Sequence, residues 1–208
     1  MAQTVPAPIP SSTAETRRPR IGILALQGDV REHANALRDV GAESIEVRLP
    51  RDLVGLDGLI LPGGESTTMR KLIDLYGLRN PIVALARGGA PLYGTCAGMI
   101  LLADRIADGD EPVLRLLDIT VERNAYGRQL DSFEADLAIP ALGDEPLHGV
   151  FIRAPVVSEV GPDVEVLARD QDGRPIAVRQ GRVMATAFHP ELTADRRLHR
   201  LMLELIAP

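Results

Sequence analysis

Apolar residues gather in short continuous runs that alternate with stretches of helical spacing, beginning at Ile21. Residues 21–26 (IGILAL) form a short apolar run, the mark of a strand covered on both faces. Asp29 stands where a helix cap belongs. Val30, Ala34, Leu37 and Val40 then recur at helical spacing until Gly41 ends the helix. Residues 44–49 and 58–61 read as strands, 67–76 and 81–88 as helices, and 91–94 as a short strand ahead of a helix over 98–103. This rhythm predicts a three-layer α/β fold in which a mostly parallel central sheet is flanked by helices. The second half differs: 117–123, 129–139, 149–153, 164–169, 175–180 and 182–188 read mainly as strands separated by turns, adding antiparallel strands. A last helix over about 195–206 carries Leu198, Leu201, Met202 and Leu205 on one face.

Residues 1–19, rich in Ala, Pro, Ser and Thr, have no apolar period and no signal-peptide core. They are expected to form a disordered tail, with residues 20–208 as one domain. Being acid-poor and ending in Arg17, Arg18 and Arg20, the tail leaves a transit-peptide reading as the alternative. No run reaches the roughly 18 apolar residues that a bilayer-spanning helix needs. A cytoplasmic protein is the expectation.

Composition narrows the chemistry. The 208 residues carry a net charge of −6 and only 3% aromatics, with no Trp. Neither a polyanion-binding surface nor a base-stacking platform fits that balance, so no nucleic-acid or membrane partner is expected. The single cysteine, Cys96, excludes an intrachain disulfide and a Cys-rich zinc site. No metal or cofactor is expected.

Cys96 lies in Gly94-Thr95-Cys96-Ala97-Gly98, after an apolar strand and before a helix. This has the form of a nucleophile elbow with Cys in place of Ser. In so tight a turn, side chains at the flanking glycines would clash, and the sulfur is aimed toward the helix N-terminus, which favours the attacking thiolate. A buried structural thiol is the plain alternative. Among four histidines, His33 is expected on a solvated helix face, His148 in a polar turn over 143–149, and His199 on the surface of the last helix beside Arg196, Arg197 and Arg200. His189 is different, because it follows an apolar strand and opens His189-Pro190-Glu191. In an extended segment residues i and i+2 point the same way, so Glu191 can orient the imidazole, with Pro190 stiffening the link. The order nucleophile, His, acid differs from that of serine α/β-hydrolases. A third feature is Leu61-Pro62-Gly63-Gly64-Glu65-Ser66-Thr67-Thr68. Its adjacent glycines can turn backbone N–H groups toward an oxyanion, and Ser66 or Thr67 can cap the next helix. Both nucleotide-loop spacings, G-x-x-x-x-G-K-[ST] and G-x-G-x-x-G, are missing.

Taken together, the elbow, the Gly-Gly loop and the His-Pro-Glu pair resemble the class I, triad-type glutamine amidotransferases. Longer runs are similar to the glutaminase subunits of pyridoxal 5′-phosphate synthase. They are Leu26-Gln27-Gly28-Asp29-Val30-Arg31-Glu32-His33, residues 59–70, 93–99, Val121-Glu122-Arg123-Asn124, Gly127-Arg128-Gln129, residues 131–137, Phe151-Ile152-Arg153-Ala154-Pro155 and residues 188–193. The match runs from Ile21 to the end and departs mildly at Ala125-Tyr126, where the family more often has Ser-Phe. The resemblance implies a flavodoxin-like amidotransferase fold and a catalytic triad of Cys96, His189 and Glu191. It also implies an oxyanion hole from the N–H groups of Gly64 and Ala97. Glutamine binding would fall to Gly64, Glu65, Ser66, Arg123, Ile152 and Arg153, and coupling to the partner to Gln27. Glutamine is then hydrolysed to glutamate and ammonia. The ammonia is delivered to a synthase subunit in a hetero-oligomeric complex that builds pyridoxal 5′-phosphate from ribose 5-phosphate and glyceraldehyde 3-phosphate.

The nearest rivals are another class I amidotransferase, or a γ-glutamyl hydrolase, that serves a different acceptor. The Phe-Ile-Arg-Ala-Pro and Gly-Arg-Gln runs weigh against both. A catalytically dead regulatory homologue is a rival of another class, and the complete triad weighs against it.

Overall fold

The computed structural model describes residues 17–123 and 132–206. Its elements run β1 (Arg20–Leu24), α1 (Val30–Asp39), β2 (Glu43–Val47), β3 (Gly58–Leu61), α2 (Ser66–Leu75), α3 (Arg79–Arg87), β4 (Leu92–Thr95), α4 (Ala97–Leu102), β5 (Ala103–Ile106), β6 (Leu117–Glu122), β7 (Ser132–Leu137), β8 (Leu147–Ile152), β9 (Val156–Val160), β10 (Glu165–Arg169), β11 (Pro175–Gln180), β12 (Val183–Thr186) and α5 (Arg197–Glu204). The expected alternation is present throughout the first half. Residues 129–131 of the expected strand over 129–139 lie outside the described residues, as do 1–16.

The main sheet has seven strands in the order β10-β11-β12-β4-β3-β1-β2. From β12 to β2 all neighbours are parallel, and β11 and β10 continue the edge as antiparallel strands. Strands β3 and β4 are buried at every position, which is why they read as unbroken apolar runs. In the smaller sheets, β5-β6-β9 and the hairpin β7-β8, strands β6 and β8 instead alternate buried and open positions: β6 is open at Asp118, Thr120 and Glu122 while Leu117, Ile119 and Val121 face inward. Strands β5 and β9 escaped the sequence reading. Each is short and half exposed, and each is defined by its pairing with β6 more than by its own pattern.

One cluster of buried apolar side chains extends from Ile21 to Met202 and joins both halves. Contacts with the sheet begin at Arg17, ahead of the expected start at residue 20. The Arg17 guanidinium meets Asp57 at 2.7 Å, and the Pro19 carbonyl accepts from the Glu43 N–H at 2.8 Å.

Three histidine expectations fail. His33 and His199 are fully buried. The inward face of α1 is the stripe His33, Ala36 and Leu37, with Val30 and Ala34 only flanking it. In α5, His199 turns inward with Leu198, Leu201 and Met202, while Arg196 and Arg197 reach sideways to Asp39 and Asp195. Each imidazole finds polar partners inside, so hydropathy alone misplaces it. His148 occupies an open position of β8 rather than a turn, between Glu134 and Asp136.

Candidate active site

Three strand ends meet at one edge of the parallel sheet. Thr186 pairs with Thr95, and Leu61 with Gly94, so the chains leaving β12, β4 and β3 emerge side by side. Crevices of open α/β sheets form at such carboxyl ends. The Cys96 N–H donates to the Thr186 carbonyl at 2.8 Å, which pins the residue to β12 before α4 begins. Cys96 has φ 47° and ψ −103°, a strained conformation for a residue with a side chain. The strain turns its sulfur out of the sheet, 3.8 Å from the Ile152 carbonyl oxygen.

His189 follows β12, and its N–H is fixed to the Val150 carbonyl at 2.8 Å. Its Nδ1 lies 2.8 Å from Glu191 Oε1. The link is made within a tight helical turn over Pro190–Leu192, not in the extended segment expected, so Glu191 comes round by curvature rather than by strand alternation. Glu191 is 4% exposed and sits behind the ring. Burial opposes a charged His189, but hydrogen bonds to Asp29, Cys96 and Glu191 outweigh it and push the imidazole up to about 12. Burial holds the Glu191 carboxyl above the ordinary carboxylate range, and the His189 contact offsets only part of that rise. A thiol beside an imidazole backed by a buried carboxylate can hold a thiolate–imidazolium pair.

The Gly-Gly loop closes the opposite wall. A Cβ on Gly63 would lie 2.2 Å from the His189 ring, and one on Gly64 2.6 Å from Gln27 Oε1, so glycine is required for this approach. Gln27 Oε1 accepts from the Glu65 N–H at 2.7 Å and thereby holds the loop. Glu65, rather than Ser66 or Thr67, caps α2, accepting from the N–H groups of Thr67 and Thr68. Its hydrogen bond from the Thr68 hydroxyl leads the contacts that bring the carboxyl down to about 2.

These walls enclose a cleft of about 480 Å³, lined by Gln27, Gly64, Glu65, Ser66, Cys96, Ala97, Arg123, Ile152, Arg153 and His189 among others. Every expected site residue therefore reaches one cleft, with Glu191 directly behind it. Arg123 differs from expectation in its commitments: Asp108 and Asp110 already hold its guanidinium. Arg153, at φ 44°, makes no ion pair among the described residues. Asn124, Gly127, Arg128 and Gln129 lie outside them.

Sequence reasoning missed Asp29 as a site residue. It was expected to cap α1, but its side chain makes no capping hydrogen bond, and Oδ2 lies 3.2 Å from His189 Nδ1. Its position two residues after Gln27 was the available signal.

A parallel α/β sheet that presents a thiol, an imidazole–carboxylate pair and a glycine loop at adjoining strand ends is built as the triad-type glutamine amidotransferases are. The comparisons define the family more finely. The chain belongs to the SNO glutamine amidotransferase family, whose model matches residues 23–207. It is 58% identical over 187 residues to the pyridoxal 5′-phosphate synthase subunit PdxT of Roseiflexus sp. (strain RS-1), covering 89% of this chain and 99% of that one. It is 56% identical over 201 residues to the subunit of the same name from Acidothermus cellulolyticus, covering 94% and 97%. A crystal structure titled as a glutamine amidotransferase superposes with a TM-score of 0.84 at 52% identity, covering 89% of this chain and 98% of the other.

Proposed function

We propose that this chain is the glutaminase subunit of a pyridoxal 5′-phosphate synthase. The observation that carries the reading is the single cleft that gathers Cys96, His189, Gly64 and Ala97, in a chain 58% identical to a subunit of that name. Cys96 attacks the side-chain amide carbon of glutamine, and the N–H groups of Gly64 and Ala97 receive the developing oxyanion. His189 protonates the departing nitrogen, which leaves as ammonia. It then takes a proton from water as that water cleaves the glutamyl thioester, releasing glutamate and restoring the thiol. Glu191 holds the ring and offsets its charge. We read the described residues from Arg17 onward as one folded unit that performs these steps.

Ammonia at neutral pH is mostly protonated and then cannot act as a nucleophile, so it must pass to its acceptor without reaching bulk water. A docked synthase subunit supplies that acceptor. Mixing the chain with a synthase subunit is expected to raise the rate of glutamate release, with the amide nitrogen recovered in the synthase product. Glutamate release that is indifferent to the partner would instead favour an enzyme serving another acceptor.

With Arg123 held by two aspartates, Arg153 is, among the described residues, the cleft arginine left to meet the substrate carboxylate. Loss of a charge-assisted hydrogen bond costs about 1.5–3 kcal/mol. Arg153→Met is therefore expected to raise KM for glutamine by about tenfold or more, with kcat little changed. Steady-state kinetics in the presence of the synthase subunit check this.

A further inference from the structure

Behind the triad lies a line of buried polar groups that the proposed mechanism does not use. His199 Nε2 is 3.1 Å from His33 Nδ1, and His33 Nε2 is 3.1 Å from the Thr95 hydroxyl and 3.5 Å from Glu191 Oε1. The Thr95 hydroxyl lies 3.5 Å from the same Oε1. His33, Thr95 and His199 are all fully buried. They come from α1, β4 and α5, three elements that meet under the cleft.

Counting protons gives the line a direction. Glu191 as a carboxylate only accepts, so the Thr95 hydroxyl donates to it and must itself accept from His33. Burial, with lesser contributions from His199 and His189, holds His33 well below the ordinary histidine range, so the ring is neutral and has one N–H. That proton is on Nε2, and Nδ1 accepts from His199 Nε2. Burial and the nearby Arg196 likewise bring His199 down to about 4, leaving its Nδ1 as a bare lone pair. Among the described residues this Nδ1 is a buried atom with no partner, and so is Glu191 Oε2. The side-chain donors to the carboxylate therefore converge on Oε1, with His189 Nδ1 as the nearest at 2.8 Å.

We propose that His33, supported by His199, is a positioning residue for the triad: it feeds a one-way chain of hydrogen bonds into Glu191 Oε1 and so fixes the carboxylate behind His189. The inference rests on the glutaminase reading of the cleft. The groups facing Glu191 are His189 from its own turn, His33 and Asp29 from α1 and the residue before it, and Thr95 and Tyr93 from β4, with His199 of α5 one step beyond. Donors to a carboxylate favour its charged form, so removing them raises the pH at which Glu191 takes up a proton. The charged His189 then loses its counter-ion earlier on the acid side.

The test compares wild type, His33→Phe, His33→Gln, His199→Phe and Thr95→Val, each with the synthase subunit, across a pH series. His33→Phe is expected to lower kcat about 10- to 100-fold, as loss of an outer hydrogen-bond partner does at metal-bound histidines. KM should stay within about twofold, and the acid limb should move up by about one pH unit. The Gln variant, whose amide N–H can reach Thr95, should recover part of the rate and move the limb back. His199→Phe and Thr95→Val should shift the limb in the same direction. An acid limb that stays at its wild-type position in every variant that folds would overturn the proposal. Cys96 is the only thiol in the chain, so its alkylation by iodoacetamide gives a second readout that needs no glutamine. A wild-type complex that releases no ammonia overturns the glutaminase reading. An alkylation profile unmoved by His33→Phe and Thr95→Val overturns the relay alone.

Discussion

Cys96→Ala is expected to abolish ammonia release from glutamine, and Glu191→Gln to leave about one part in 10²–10⁴ of it. The alanine variant removes the only thiol in the chain, and the cleft holds no second nucleophile of that kind. The glutamine variant keeps the shape of the Glu191 side chain and can still turn an amide oxygen toward the donors that meet at Oε1. It carries no charge, however, so the imidazolium loses its buried counter-ion. Asp29 Oδ2, 3.2 Å from His189 Nδ1, sets where in that range the variant falls, because it can still orient the ring. Glu191→Gln combined with Asp29→Asn is expected to reach the lower end. Activity of Glu191→Gln within about threefold of wild type would contradict the role assigned to this carboxylate, and so would a double variant no worse than the single one. Single-turnover release of glutamate, with thermal unfolding as a check on the fold, separates these outcomes.

Much of this site was legible because its signals are local. An apolar strand that ends in Gly-Thr-Cys-Ala-Gly announces a turn that only small neighbours permit, and His-Pro-Glu brings its two partners together within three residues. Parallel strands buried on both faces gave continuous apolar runs, so β1, β3 and β4 could be placed within about two residues. What stayed hidden depends on distant chain segments. His33 and His199 are 166 residues apart and meet only after α1 and α5 pack under the sheet, and each alone reads as a polar residue on a helix. The 3.2 Å approach of Asp29 to His189 is likewise a product of the fold, as is the pairing of Arg123 with Asp108 and Asp110. Helix spacing named the α1 face as Val30, Ala34, Leu37 and Val40. The true face is displaced from it because a hydrogen-bonded imidazole is as good an inward residue as an aliphatic one.

Gly98→Ala is expected to be among the most damaging small substitutions in the chain, and two effects of opposite sign decide it. In an exposed helix, replacing glycine by alanine gains about 1 kcal/mol. At Gly98, in the first turn of α4, the added Cβ would lie 2.0 Å from the Leu61 carbonyl oxygen. That oxygen is backbone at the end of β3, so no flexible side chain can swing aside. The helix must instead move off the sheet. Overpacking of this kind costs about 3 kcal/mol or more, outweighing the helical gain. The net loss of about 2 kcal/mol or more corresponds, for a chain of this size, to a fall in Tm of roughly 4–8 °C or more. The function should suffer further, because α4 carries Ala97 and directly follows Cys96, while Leu61 leads into the Gly63–Gly64 loop. Pushing the two apart separates the thiol from the opposite wall of the cleft by a fraction of an ångström to an ångström, enough to lose about 10²-fold in rate. Gly88→Ala is the control. It ends α3 at φ −71°, and its Cβ would meet only carbonyl oxygens at 3.3 and 3.4 Å. Its stability should remain within about 1 kcal/mol of wild type. Gly98→Ala melting with wild type and retaining its glutaminase rate would show that the close packing of α4 on β3 is not what holds the elbow.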